Sequence, residues 1–289
     1  MRRLISILIL AAFIISSSFV FADVAVGDVI VVLGADLTES QKEAILKEFN
    51  SPQDAQLIFT TNEEEHEYLG GIIPSGKIGT NAISCVMITY REKGNGLNVD
   101  TSDKINYITE ESYISALITA GVEDADIKIT APVSATGTAA LTGIMKAYEI
   151  STGEAIDKDI KRIANEEMVT IAELGEVIGN KEVSDLVNRI KQEIADKRPN
   201  TRQEVRDIVL NIVTNSIDVN LTDEQIEKLV SLFDKMKELD IDWNKVSNQV
   251  QDVVQKASDF LSSEEGQGFL QNLKIIINKL IDWIASLFR

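Results

Sequence analysis

The chain has 289 residues, 44% of them hydrophobic, and carries 46 acidic against 28 basic side chains for a net charge of −18. That balance argues against a nucleic-acid partner, because phosphate backbones are held by Lys and Arg that displace counterions, and it favours cations or basic partners. With one cysteine, Cys85, and one histidine, His66, the chain has no internal disulfide framework and too few soft ligands for a zinc or other transition-metal site, so neither metal nor cofactor is expected.

Arg2 and Arg3 precede the apolar run LISILILAAFII, and Val20-Phe21-Ala22 stands just before the first acid, Asp23. A basic start, an apolar centre and small residues at the cleavage positions predict a signal peptide over residues 1–22, cut after Ala22. The competing reading is a retained anchor, since residues 4–21 almost reach the length that spans a bilayer. Export places the protein outside the cell or in its envelope. Removing residues 1–22 deletes two arginines and no acid, which takes the net charge to −20.

Residues 28–33, with VIVVL nearly unbroken, read as a strand buried on both faces of a helix-flanked sheet. Gly34 turns the chain, and Thr38 with Gln41 predicts a capping box for a helix whose buried side is Ile45, Leu46 and Phe49. QLIFT at 56–60 is a second short strand. The acids of 62–69 suit the positive end of a helix, broken by Gly70 and Gly71; within its EEEHEY run, His66 reads as an exposed member of a solvated acidic face. Pro74, Gly76 and Gly79 make 72–80 a loop. Residues 81–90 are the longest strand candidate, with Cys85 inward as an inert small hydrophobe. Lys93-Gly94-Asn95-Gly96 predicts a hairpin returning through 97–99, and Thr109 caps the helix that follows.

In the stretch 119–150, Gly121 ends a helix and Ile127, Ile129 and Ala131 alternate with Lys128 and Thr130 as in a half-buried strand. Pro132 stops that strand, and Leu141, Ile144 and Tyr148 make one apolar helix face beside Ala140 and Ala147. The run TGTAALTGIMKAYE at 136–149, with GADLTESQ at 34–41, LGGIIPSGKIGTNAIS at 69–84 and ITAGV at 118–122, resembles the YpuA-like family of exported proteins of Gram-positive spore-forming bacteria, a domain family of unknown function. The resemblance covers most of the chain beyond residue 22. It implies an extracytoplasmic setting and brings no catalytic or binding residue with it.

Beyond Thr152 the strand patterns give way to apolar periods of three to four residues, predicting helices over 156–178, 183–195, 201–217, 222–239, 243–261 and 268–288. Thr201 with Glu204 and Thr222 with Gln225 supply caps. The expected architecture is therefore an α/β (or α+β) domain with a mixed sheet over 23–152, followed by an all-α helical domain over 153–289. The last helix differs from the rest. Most polar residues, Gln271, Lys274, Asn278, Asp282 and Ser286, form a narrow stripe with Asn272 and Lys279 outside it, and the rest is broadly apolar, with Leu280, Trp283, Ile284, Leu287 and Phe288 as a candidate membrane or partner face. A helix of this kind closes a helical bundle, the preferred reading, or lies in a membrane interface.

Thr136, Gly137 and Thr138, between strand and helix, are the candidate anion-binding residues, because free N–H groups at a helix N-terminus attract negative charge. Thr138 stands where a Walker loop needs lysine. Asp240-x-Asp242-x-Asn244 opens like a calcium loop, but Lys245 replaces its glycine and Gln251 its glutamate, so Asp242 reads as a helix cap. No G-x-S-x-G elbow occurs in the chain, and no catalytic residue is assigned. The leading expectation is an exported, non-catalytic envelope or extracellular protein that binds an envelope component or another protein, or has a structural role. Its rivals are a secreted hydrolase acting on wall polymer through an acidic pair, and a membrane-surface protein docked through residues 268–289.

Overall fold

The computed structural model describes residues 26–216 and 220–262. Residues 1–22 and 268–289, with the candidate face of Leu280, Trp283, Ile284, Leu287 and Phe288, lie outside the described residues.

One mixed sheet holds β1 (Val29–Gly34), β2 (Gln56–Thr60), β3 (Cys85–Tyr90), β4 (Leu97–Thr101) and β5 (Ala125–Thr130) in the order β2-β1-β3-β5-β4. β1 runs parallel to β2, with Val32 beside Ile58, and antiparallel to β3, with Ile30 opposite Ile88. β5 pairs antiparallel to β3 and parallel to β4. The unbroken VIVVL run is explained by this placement, because a strand with neighbours on both sides and helices on both faces has no wet side.

The hairpin expected between residues 81–90 and 97–99 is absent, since β5 lies between β3 and β4. Asp124 anchors the turn beside β5. Its Oδ1 accepts from the Gly94 amide at 3.0 Å and the Gly96 amide at 2.7 Å, tying the 93–96 turn to the start of β5 rather than folding it back on β3. β3 itself begins only at Cys85, and the loop at 72–80 contains one helical turn, Ser75–Ile78 (α3).

Helix α1 (Glu39–Glu48) connects β1 to β2 and opens with the Thr38–Gln41 capping box. It covers the sheet face of Val31, Leu33, Cys85 and Met87. Helices α4 (Glu110–Thr119), which connects β4 to β5, and α5 (Thr138–Thr152) cover the other face, that of Ile30, Val32, Ile88 and Ile127. The two crossovers step the same way along the sheet but on opposite faces, so they are of opposite hand and one is the rare left-handed kind.

On α4 sits a helical layer of α6 (Lys158–Ile178), α7 (Asn180–Lys197), α8 (Arg202–Thr214), α9 (Asp223–Lys237) and α10 (Trp243–Ser262). Reciprocal caps open α8 at Thr201 and α9 at Thr222, each worth about 1 kcal/mol. A single apolar cluster runs from Ile127 through Leu117, Ile171 and Leu186 to Val250, so the core is continuous across residue 152. Asp242 caps α10, its Oδ1 accepting from the Asn244 and Lys245 amides at 3.1 Å. Among the described residues no group of three or more His, Cys, Asp or Glu is placed to hold a metal ion, and no helix is long and apolar enough to cross a membrane.

Candidate functional site

Helix α4 is apolar where it meets the sheet but carries Ser115 and Thr119, four residues apart and therefore on one face, toward α6 and α7. Polar groups buried there must be satisfied within the protein. Glu167 of α6 and Lys191 of α7 meet them, both 0% exposed, with Lys191 Nζ 2.6 Å from Glu167 Oε1. Lys191 also donates to the Ser115 carbonyl at 2.7 Å and to Ser115 Oγ at 3.0 Å. Thr119 Oγ1 donates to Glu167 Oε2 at 2.5 Å, and Ser115 Oγ donates to Glu167 Oε1. Burial pushes the Lys191 ammonium below its ordinary range, while the Glu167 charge acts to hold it up.

A serine hydroxyl beside a lysine amine has the residue types of a serine–lysine nucleophilic dyad. Burial argues against that chemistry: Ser115 is only 2% exposed, and its hydroxyl is engaged by the buried Glu167 carboxylate. What the arrangement does is clamp three helices, α4, α6 and α7, at one point.

A second buried cluster surrounds the predicted anion-binding residues at the start of α5. Gly137 is the N-cap with φ 90°, and the Thr136 and Thr138 hydroxyls lie 3.0 Å apart. Thr138 Oγ1 donates to Glu65 Oε1 at 2.5 Å, and Asn62 Nδ2 lies 3.3 Å from Glu65 Oε2. The anion nearest these residues is thus a side chain of the same chain. Glu65 is 1% exposed, and that burial, partly offset by the Thr138 and Asn62 hydrogen bonds, raises its pKa above the usual carboxylate range.

This corrects the reading of EEEHEY as a solvated acidic face. Its helix, α2 (Asn62–Leu69), packs against α5 and α6 and buries Glu65 together with Leu69. His66 is half-buried, its Nε2 3.0 Å from the Gly79 carbonyl. The available signal was the four-residue spacing of Glu65 and Leu69, which puts acid and leucine on one face. Cys85 is fully buried, and burial pushes its thiol up to about 11, the direction that makes a thiol unreactive.

An open groove of about 830 Å³ runs between α7 and α10. Asp185, Asn188, Gln192 and Asp196 line it from α7, and Val250 and Val254 from α10. Asn188 is only 7% exposed, and among the described residues neither its Oδ1 nor the Gln192 Oε1 has a hydrogen-bond partner.

Residues 33–253 match the family described as "Protein of unknown function (DUF1002)", and the chain belongs to that family. Among curated proteins it is similar to "Uncharacterized protein YpuA" of Bacillus subtilis (strain 168), 47% identical over 273 residues that cover 93% of this chain and 92% of the relative. No solved structure matches it.

Proposed function

We propose that this family member is an exported, non-catalytic protein of the cell envelope or its surroundings that binds an envelope component or serves a structural role there. The observation that carries the non-catalytic part is the burial of the Ser115–Glu167–Lys191 cluster, in which the residues best suited to nucleophilic chemistry are used to join the sheet layer to the helices. Export is supported by the pattern of residues 1–22, and a binding role by the strong net negative charge, which draws cationic or donor-rich partners. The test is to collect the protein from its host, determine its first residue by mass spectrometry, and incubate it with purified wall polymer while following both co-sedimentation and released fragments. A start at Asp23 with co-sedimentation and no fragment release is expected. Fragment release that survives purification would make the protein an enzyme, and an intact Met1 on membrane-bound protein would make residues 1–22 an anchor.

A further inference from the structure

Three features of the α7/α10 groove mark it as an incomplete interior surface. Asn188 is nine-tenths buried with an amide oxygen that has no partner among the described residues, Val254 is 55% exposed on the last described helix, and that helix packs mainly against α7, with a smaller contact on α4. The walls are also rich in acceptors. Asp185 and Asp196, opposed by one cation, Arg189, join the oxygens of Asn188 and Gln192 that have no partner among the described residues, so the matching occupant brings hydrogen-bond donors and net positive charge, together with apolar side chains for Val250 and Val254.

We propose that the groove is filled by residues 268–289 of the same chain, returning antiparallel to α10. The covalent path is short. α10 ends at Ser262, and residues 263–267, SEEGQ, include Gly266 for a reversal. A helix over 268–288 is about 30 Å long at 1.5 Å per residue, the length of α10 itself. With the reversal centred at residue 265, equal distances along the two helices set Ile276 beside Val254 and Leu280 beside Val250. Charge agrees with this register. Lys274, Lys279 and Arg289 against Asp282 make the segment +2 in a chain of −18, and both lysines fall at the level of the groove, where Asp185 and Asp196 are.

Disulfide trapping tests this in the full chain, because Cys85 is fully buried and offers no competing thiol. Val254→Cys combined with Ile276→Cys should form an intrachain disulfide under mild oxidation, whereas Val254→Cys combined with Ser286→Cys should not. Equal yields from the two pairs, disulfide-linked dimers, or no disulfide would each overturn the proposal. A single Val254→Cys variant gives an independent reading. Its labelling by a polar thiol reagent should rise at least tenfold when Leu280→Asp is added. An unchanged labelling rate, with loss of binding to anionic vesicles on Leu280→Asp, would place the segment on a membrane instead.

Discussion

The Tyr113 hydroxyl donates to the Gly137 carbonyl at 2.6 Å, joining the middle of α4 to the entry of α5. Gly137 sits at φ 90°, and a Cβ there would lie 2.4 Å from Tyr113 Oη and 2.8 Å from Ile105 Cγ2. Both the backbone angle and the space therefore demand glycine at this N-cap. The two helices cover one face of the sheet, so this contact fixes how they sit on it.

Gly137→Ala should destabilise the fold by about 2–4 kcal/mol, the sum of a strained positive φ and a steric clash. Tyr113→Phe should cost about 0.5–1.5 kcal/mol, because the Gly137 carbonyl loses one of its two donors and keeps the Ala140 amide at 3.1 Å. Because Tyr113→Phe also removes the atom that the new methyl would meet, the double variant should lose less than the two losses added. Urea denaturation of the four proteins measures this, and strict additivity would show that the hydroxyl is not the obstacle.

Lys191→Met should cost about 3–5 kcal/mol, because it leaves the Glu167 carboxylate buried without its counter-charge. Adding Glu167→Gln should recover most of that loss, its amide oxygen accepting from one of the Ser115 and Thr119 hydroxyls and its amide nitrogen donating to the other. A single variant as stable as the parent in urea would mean that water reaches the cluster.

Glu65 sets a pH dependence of definite sign. Its folded pKa is raised by burial, so its contribution to stability is complete below the ordinary glutamate range and is lost as pH rises through the folded value. Glu65→Gln, an uncharged isostere, should therefore melt higher than the parent at pH 7 to 8 and lose that advantage in acid, near and below about pH 4.3. Melting curves recorded across this range decide the matter; a constant offset at every pH would remove Glu65 from the account.

Residues 23–152 expressed alone should lack a sharp calorimetric transition. Ser115 and Thr119 would lose Glu167 and Lys191, and the apolar cluster that continues from Leu117 to Ile171 and Leu186 would be cut open. A cooperative melt of this fragment would show that the sheet layer completes its own core.

What could be read from the residues in advance was what depends on near neighbours. The Thr38, Thr201 and Thr222 caps each rest on a partner three residues away, and the burial of β1 follows from its own apolar run. The order of the strands rests instead on distant contacts, such as Asp124 reaching back to amides 28 and 30 residues earlier. Glu65 is buried only because α2 docks on α5, with Thr138 meeting it 73 residues on. Ser115 and Thr119 were visible as polar residues on an apolar helix, but their partners lie 48 to 76 residues downstream, beyond any local pattern.

The insertion of β5 between β3 and β4 also governs the timing of assembly. β4 is complete in the growing chain at residue 101, yet its one neighbour in the sheet ends at residue 130. Ser115 waits longer still, for a lysine 76 residues away. At a synthesis rate of about 5–20 residues per second, that interval lasts on the order of 4–15 s. Within it, the β4 edge stays unpaired until residue 130, the α4 hydroxyls wait for Glu167, and Glu167 in turn waits for Lys191. Any chaperone that keeps this protein open therefore has several seconds in which to bind before the first interlayer lock can close.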